Sequence, residues 1–241
     1  MAEAQGRIGL QPASVELETD AGQPMRQVVT VANLDRTHPV SVSLALADWT
    51  YDPDGAPVFM PAGESDQSAA GWARYGAPTL SLAPGQSKQV VIQLATPDQP
   101  PRTGDYRVAL LASSVMKDPE GRWQKSQIAS LVSLTVGKAS SRPRIEASRL
   151  TITESGEPAI GLDLANPGNA HARLSGVIEI RSGTDIVLSR DLTDVIVPEK
   201  GARRLIVPLG QPLPANADIE VRLVNQFAPQ TTRGEKALPV H

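Results

Sequence analysis

The sequence contains no cysteine, which excludes disulfide bonds, thiol nucleophiles and thiolate metal sites. Aromatic residues are scarce, with three Trp, three Tyr and two Phe in 241 residues. No apolar run approaches the roughly 20 residues that a membrane-spanning helix needs. The formal net charge of -3 and the pI of about 5.7 provide no concentrated positive field for nucleic acid or anionic lipid. The sequence therefore predicts a protein that binds no nucleic acid and does not insert directly into a membrane.

The signatures of the common enzyme classes are also missing. There is no G-x-S-x-G elbow, no H-E-x-x-H pair and no phosphate-cradling glycine loop. The histidines His38, His171 and His241 lie in two turns and at the end of the chain, without the spacing of zinc ligands. The acidic residues around Asp52 and Glu64 are typical of a solvated loop. We therefore predict that the protein is not an enzyme and uses no metal or other cofactor.

Short β-type segments separated by turns fill the chain. It has 19 Gly and 21 Pro, and no apolar window keeps helical spacing through several turns. The clearest boundary is GKASSRPRI, residues 137–145, where an alternating strand gives way to turn residues. We predict a linker at 139–143 that forms a semi-rigid elbow, because Pro143 fixes its own φ and holds Arg142 extended.

Three motifs recur in the same order on both sides of this linker. LAPGQSKQVVIQL at 82–94 matches IVPEKGARRLIVPL at 196–209, GDYRVALL at 104–111 matches ADIEVRLV at 217–224, and VTVANLD at 29–35 matches LDLANPG at 162–168. Such a duplication, with about seven short strands in each half, predicts an all-β protein of two immunoglobulin-like β-sandwich domains. The predicted domains span residues 6–138 and 144–241.

The first half is longer than the second. The interval from the Asn of one motif to the Pro of the next is 51 positions in the first half and 32 in the second, a difference of 19. Most of this excess lies at residues 50–78, in which the Asp54-Gly55 pair predicts a tight turn. The excess predicts an elaborated crossover between the two sheets of the first sandwich.

With this arrangement the chain resembles the periplasmic pilus (fimbrial) chaperones of the PapD-like family. The matching segments are VVTVAN at 28–33, LAPG at 82–85 with the strand at 88–94, GDYR at 104–107, the alternating run at 128–136, and ANPGNAHARLSG at 165–176. They cover nearly the whole chain. The resemblance implies a divergent, chaperone-like member with two immunoglobulin-like domains joined at an elbow.

In that family the last strand of the first domain fills a groove in an incomplete pilus subunit, which is binding by β-strand addition. The resemblance implies that the following side chains contact a client strand: Ile128, Ser130, Val132, Leu134 and Val136. It implies a pilus-type subunit as client and an outer-membrane usher as a second partner. It also implies a periplasmic location after removal of a signal peptide, and Ala2-Glu3-Ala4 matches the end of such a peptide.

The family also binds the client's C-terminal carboxylate with two basic residues in the interdomain cleft. The corresponding places in this sequence lie near Ala13 or Ser14 and near Ser133, and none of these residues is basic. The nearby basic candidates are Arg7, Lys138 and Arg142. The segment upstream of the alternating run, GRWQKSQ, does not continue the apolar alternation, so the resemblance predicts a short donor strand.

Other interpretations stay open. Residues 126–136 fit an ordinary closing strand whose inward residues build the core, although the stretch lacks the charge or proline that normally blunts an unpaired edge. A structural or adhesive module of a surface appendage or secretion apparatus would instead use its sandwich faces and residues 50–78. Trp72 and Tyr75 suit a glycan-stacking platform, but we predict that they and Trp49 belong to the core.

Overall fold

The computed structural model describes residues 8–117, 121–212 and 217–226. Arg7 and His241 lie outside these ranges. The described chain divides into two compact units, one formed by residues up to Thr50 together with Val58–Gly137, the other by Tyr51–Pro57 together with residues from Lys138 onward. Each unit has its own apolar core, and the described regular structure consists of strands apart from one short 3-10 helix.

The first unit is a sandwich of two sheets. One sheet has the strand order β1-β3-β8-β6 and the other β2-β10-β9-β4-β5, to which β7 adds by pairing with β4. The strands are β1 (Ile8–Gln11), β2 (Ser14–Thr19), β3 (Pro24–Asn33), β4 (Val40–Tyr51), β5 (Pro57–Pro61), β6 (Ala73–Arg74), β7 (Thr79–Leu82), β8 (Ser87–Ala95), β9 (Gly104–Lys117) and β10 (Trp123–Val136). In β8, alternate residues Val90, Ile92 and Leu94 are buried, because a strand with one wet face needs apolar side chains only on the other.

The second unit is a sandwich of two three-stranded sheets in the described part of the chain. Their strand orders are β11-β12-β15 and β14-β13-β16. The strands are β11 (Arg144–Ile152), β12 (Pro158–Asn166), β13 (Ala172–Ser182), β14 (Asp185–Val197), β15 (Gly201–Pro208) and β16 (Asp218–Asn225). The predicted fold class of two immunoglobulin-like sandwiches is confirmed.

Tyr106 fastens the first sandwich in the manner of an immunoglobulin tyrosine corner. Its hydroxyl donates to the carbonyl oxygen of Arg102 at 2.8 Å, four residues upstream. The ring packs against Trp72 in a tilted arrangement with centroids 4.3 Å apart, and the Tyr75 hydroxyl donates to the Leu44 carbonyl oxygen at 2.9 Å. Trp72 and Tyr75 pack against the core and Trp49 is buried, so their predicted place in the core is confirmed.

Residues 50–78 carry the chain from one sheet of the first sandwich to the other, as predicted. β5 lies beside β4, whereas β6 pairs with β8 in the opposite sheet. The tight turn between β4 and β5 has Gly55 in the left-handed region, with φ 86. The loop that follows β5 is held by the buried Asp48 carboxylate, which accepts hydrogen bonds from the Gly63 and Ser65 amides at 3.0 and 2.8 Å.

Asn33 and Asn166 have the same role in the two sandwiches, at the ends of β3 and β12. Both side chains are buried and donate to backbone carbonyls of the turns around them. Both also accept from the amide two residues later, at 3.0 Å from Asp35 and 3.1 Å from Gly168. The repeated motif is therefore a repeated hydrogen-bonding device.

The linker backbone is hydrogen-bonded to the second unit. Asn169 Oδ1 accepts from the Ser140 amide at 2.7 Å, and its Nδ2 donates to the Lys138 carbonyl oxygen at 3.1 Å. Asn166 Oδ1 accepts from the Arg142 amide at 2.9 Å. Pro143 is buried. These hydrogen bonds restrain the linker in addition to the effect of Pro143 on its own backbone.

Candidate functional site

Strand β10 has two differently paired halves. All of its residues pair with β9 in an antiparallel register, from Trp123 to Val136. On its other side β2 pairs with it in parallel, but only over Leu131–Val136. No other described strand pairs with the part of β10 that precedes Leu131. Residues 131–136 are therefore paired on both sides, because β2 occupies the side away from β9, and the unpaired edge of β10 lies upstream.

The direction of the backbone groups follows from the backbone hydrogen bond of Leu131 at the point where β2 begins, beside which Ser130 makes a side-chain bond. The Leu131 amide donates outward to Ala13 at 2.9 Å, and Ser130 Oγ donates to the Pro12 carbonyl oxygen at 2.7 Å. Because backbone groups alternate in direction along a strand, the N–H and C=O of odd-numbered residues point away from β9. We call residues 125–129 the open edge, and its outward backbone groups belong to Lys125, Gln127 and Ala129.

The other end of the same sheet is differently built. The Asp52 amide donates to the Ala56 carbonyl oxygen at 2.9 Å, so alternation along β5 directs Pro57, Phe59 and Pro61 outward. Two of these three positions lack an N–H, and proline on an edge strand normally prevents further pairing. The open edge of β10 contains no proline.

The side chains around the open edge differ between its two faces. On the outer face, Trp123 is 69% exposed, Val115 of β9 is 60% exposed, and the Lys117 ammonium lies 5.0 Å from the Trp123 ring centroid. Lys125 is paired opposite Val115 and so shares this face. On the inner face, Ile128 is 36% exposed and continues the row that leads into the core. The site thus offers a polar backbone edge with a cationic, partly aromatic outer face.

The structure separates the five residues predicted to contact a client strand. Val132, Leu134 and Val136 are each 0% exposed and belong to the core of their own sandwich. Ser130 is buried as well, and only Ile128 is exposed. The client-binding role of these four buried residues and of Ile128 stays a prediction.

The positions that correspond to the family's basic pair come close together in the sheet. Leu131 is paired with Ser14 and Ser133 with Glu16, so these positions lie on adjacent strands. A glutamate opposite Ser133 does not favour a bound carboxylate, because like charges repel. The family's carboxylate anchor is therefore not reproduced by the residues at these positions.

The structure describes two of the three basic candidates. Lys138 and Arg142 lie in the linker with exposed side chains, and their backbones are bonded to Asn169 and Asn166. Arg7 lies outside the described residues. Their role in binding a client carboxylate stays a prediction.

Sequence reasoning missed the outer-face residues Trp123, Lys117 and Lys125. The available signal was the tryptophan in GRWQKSQ, which stands among polar residues instead of in an apolar run. Its exposure could be inferred from that context, but its position beside Lys117 depends on the β9–β10 register.

Other kinds of site find little support in the described ranges. No group of three or more His, Asp or Glu residues within them is placed to hold a metal ion. His38 instead contacts Asp35, with 3.1 Å between Nδ1 and Oδ2, and His171 is buried. None of the helical structure in these ranges has the length and apolar character to cross a membrane.

No protein-family model and no curated protein matches the sequence. Among solved structures, the chain is similar to one from the SafA pilin–SafB chaperone complex of Salmonella enterica, at 15% identity and a TM-score of 0.47, covering 96% of this chain and 94% of that one. It is also similar to the E. coli chaperone DraB, at 12% identity and a TM-score of 0.45, covering 91% and 92%. A third similar structure is the CsuC–CsuE chaperone–tip adhesin complex of Acinetobacter baumannii, at 12% identity and a TM-score of 0.47, covering 90% and 91%. These three solved structures are of chaperones or of chaperone complexes, the class of protein that the sequence motifs resemble.

Proposed function

We propose that the protein is a non-enzymatic, chaperone-like factor of the periplasm that binds an extended segment of an exported client by β-strand addition at the open edge. A pilus-type subunit is the proposed client, and an outer-membrane usher is a proposed second partner. The resemblance of the sequence motifs to pilus chaperones supports the class of client. The half-paired state of β10 supports the place of binding.

The observation that carries the proposal is the difference between the two halves of β10. Residues 131–136 are covered by β2, whereas residues 125–129 have β9 as their strand neighbour on one side only in the described chain. An edge of this kind presents unpaired N–H and C=O groups that a second chain can complete. Main-chain hydrogen bonds then supply affinity, and side chains on the two faces supply selectivity.

The available length limits the added strand. The bond between the Leu131 amide and Ala13 marks where β2 begins, so an incoming strand has at most the eight residues 123–130 of β10, five of which form the open edge. At about 3.3 Å per residue this edge is roughly 16 Å long. A client segment pairing there is short, and much of its selectivity must come from the side chains around Lys125 and Ile128.

A structural or adhesive module is the second candidate, and the insertion at residues 50–78 favours it. Val58 and Phe59 are exposed on β5, which is the other end strand of the same sheet. Since Pro57 and Pro61 interrupt the outward backbone there, contacts on β5 would be made by side chains. The two candidates therefore predict different contact residues.

The test places a photo-crosslinking residue at position 127 or at position 59 and expresses each variant in the cell envelope. Under the chaperone proposal, position 127 crosslinks to an exported subunit, and Gln127→Pro competes poorly for that subunit because it removes an outward N–H. Gln127→Ala is the matched control, since it keeps the N–H and should keep binding. Crosslinks from position 59 alone, with Gln127→Pro fully active, would reject the chaperone proposal in favour of the second candidate.

A further inference from the structure

The two strand segments that border the open edge carry charge of one sign. Between Leu111 and Lys117 in β9 and between Trp123 and Ala129 in β10 there are two lysines and no acidic residue. Lys117 is paired directly opposite Trp123, and Lys125 is paired directly opposite Val115. Both lysines therefore lie on the outer face. In the sequence the connecting residues add Asp118, Glu120 and Arg122, so residues 111–129 carry three basic and two acidic residues, a net charge of +1 against -3 for the whole chain.

No ion pair within the described ranges joins Lys125 or Lys117 to a carboxylate. In contrast, the outer faces of the second sandwich have internally matched charges. Asp163 binds Arg149 and Arg204 there, and Glu179 binds Arg181 and Arg222. The two lysines beside the open edge are thus available to a partner.

The inner face of the open edge favours an apolar partner side chain instead of a charged one. Ile128 is the exposed apolar residue of the open edge on that face, and Ser126 and Ser130 stand two positions away on either side of it. A residue placed beside Ile128 by strand addition gains apolar contact, whereas its neighbours on the same face meet hydroxyl groups. Cross-strand pairs of this kind determine which sequences a sheet edge accepts.

We infer that the open edge selects an acidic extended segment, with carboxylates on the face shared by Lys117 and Lys125 and an aliphatic side chain beside Ile128. This inference rests on the proposed function and specifies its partner chemistry. The backbone of the segment completes the ladder at Lys125, Gln127 and Ala129, and its carboxylates pair across the strand with Lys125. Trp123 lies at the end of the same face and loses exposed surface when the strand is added.

The test titrates three synthetic heptapeptides into the full chain. The first alternates glutamate and valine, and the other two carry lysine or glutamine in place of each glutamate. The readout is the emission of Trp123, which is the exposed tryptophan, and a Trp123→Phe variant identifies its signal. We expect the glutamate peptide to shift the emission to the blue and to bind about fivefold or more tighter than the lysine peptide at low salt, with the difference shrinking as salt screens the charges.

A charge exchange and a backbone block complete the test. In Lys125→Glu the preference should shift toward the lysine peptide, because the charge opposite the added strand is inverted. N-methylation of alternate peptide amides on the edge-facing side should abolish binding without altering the protein, which separates strand addition from general charge attraction. Gln127→Pro provides the same block from the protein side, with folding checked by circular dichroism.

The outcomes distinguish failure of the acidic selectivity from failure of strand addition. If all three peptides bind equally and N-methylation blocks them, strand addition stands and the selection for acidic segments is overturned. If the glutamate peptide binds regardless of N-methylation and Gln127→Pro, the lysines attract anions without strand addition, and both the inference and the proposed function fail. Absence of binding by every peptide also rejects both at this edge.

Discussion

Lys200 has a left-handed backbone conformation, and the residue at the matching position of the first sandwich is a glycine, Gly85. Lys200 has φ 50, and Gly85 has φ 67 at the matching turn before the next strand. The two amides make equivalent bonds, from Lys200 to the Gly168 carbonyl oxygen at 3.0 Å and from Gly85 to the Asp35 carbonyl oxygen at 2.9 Å. The left-handed region disfavours residues with a Cβ atom, so the second sandwich carries local strain that the first avoids.

We expect Lys200→Gly to raise the free energy of unfolding of the second sandwich by about 0.5–1 kcal/mol, because the steric cost of left-handed backbone exceeds the entropy cost of glycine. Urea denaturation measures the change. Gly85→Ala is the reciprocal control and should lower the stability of the first sandwich by about 1 kcal/mol, because alanine is strained at this left-handed φ. No neighbouring atom lies within 4 Å of the added Cβ, so no steric clash adds to this cost. Equal stabilities for Lys200→Gly and the parent would contradict the assignment of strain.

Ionisation of Asp163 makes the stability of the second sandwich depend on pH. Hydrogen bonds from Arg204 and then from Arg149 lower the pKa of the Asp163 carboxyl below its usual value. A lowered folded-state pKa means that the stabilisation is complete above the unfolded-state pKa and is lost as pH falls through the folded-state pKa. In the parent protein the free energy of unfolding should fall as the pH is lowered below about 5, and we expect this fall to be smaller in Asp163→Asn. Denaturation at several pH values measures it. An unchanged acid profile would show that the two ion pairs do not contribute.

At the scale of elements, β10 joins a closed half to an open half within one continuous strand. Parallel pairing with β2 holds residues 131–136, and the same strand continues upstream without that partner. Nothing in the alternation of β10 marks the change, because both halves keep the same antiparallel register with β9. The boundary is set by the place where β2 begins, at Ser14.

Amide hydrogen exchange should reveal this boundary in the free protein. We expect the amides of Lys125, Gln127 and Ala129 to exchange quickly, while those of Ser126 and Ile128 are protected by β9. Downstream of Ser130 both odd and even residues should be protected, because β2 and β9 bind opposite sides. Uniform protection through residues 125–129 would mean that the edge is already occupied and would remove the basis of the proposed function.

The turn after β12 holds the linker through close contact as well as hydrogen bonds. A Cβ atom built on Gly168 would lie 2.1 Å from the Ser140 carbonyl oxygen, a distance that forces the linker backbone to move. We expect Gly168→Ala to cost about 1–3 kcal/mol and to increase amide exchange at Ser140 and Arg142. Gly71→Ala is the matched control because its Cβ would meet no atom within 4 Å. Parent-like exchange in Gly168→Ala would show that the linker is held by other contacts.

At the scale of the whole molecule, two cores are each contained in one unit. Leu110 belongs to the first core and Leu174 to the second, and both are fully buried. We expect each Leu→Ala substitution to cost about 2–5 kcal/mol and to affect mainly the unfolding transition of its own unit, as followed by domain-specific amide signals. Equal destabilisation of both units by either substitution would indicate a single cooperative structure instead of two domains.

Much of the architecture follows from local patterns in the sequence. Alternation in β8, the paired motifs around Asn33 and Asn166, and the Gly55 turn all act through short-range chemistry: side-chain period, a buried amide and a left-handed glycine. The core positions of Trp49 and Trp72 were predicted from the scarcity of aromatic residues. These features need no knowledge of which distant strands become neighbours.

The candidate site could not be predicted in the same way. Val132, Leu134 and Val136 alternate as a donor strand would, yet their burial and the cover by β2 depend on pairing with a segment more than 100 residues away in the chain. The sequence by itself determined the periodicity, the duplicated turns and the exclusion of cysteine chemistry, because these are properties of neighbouring residues. Only the tertiary structure decided which edge stays open and which lysines share a face with Trp123, because strand neighbours are chosen by the packing of the whole sheet.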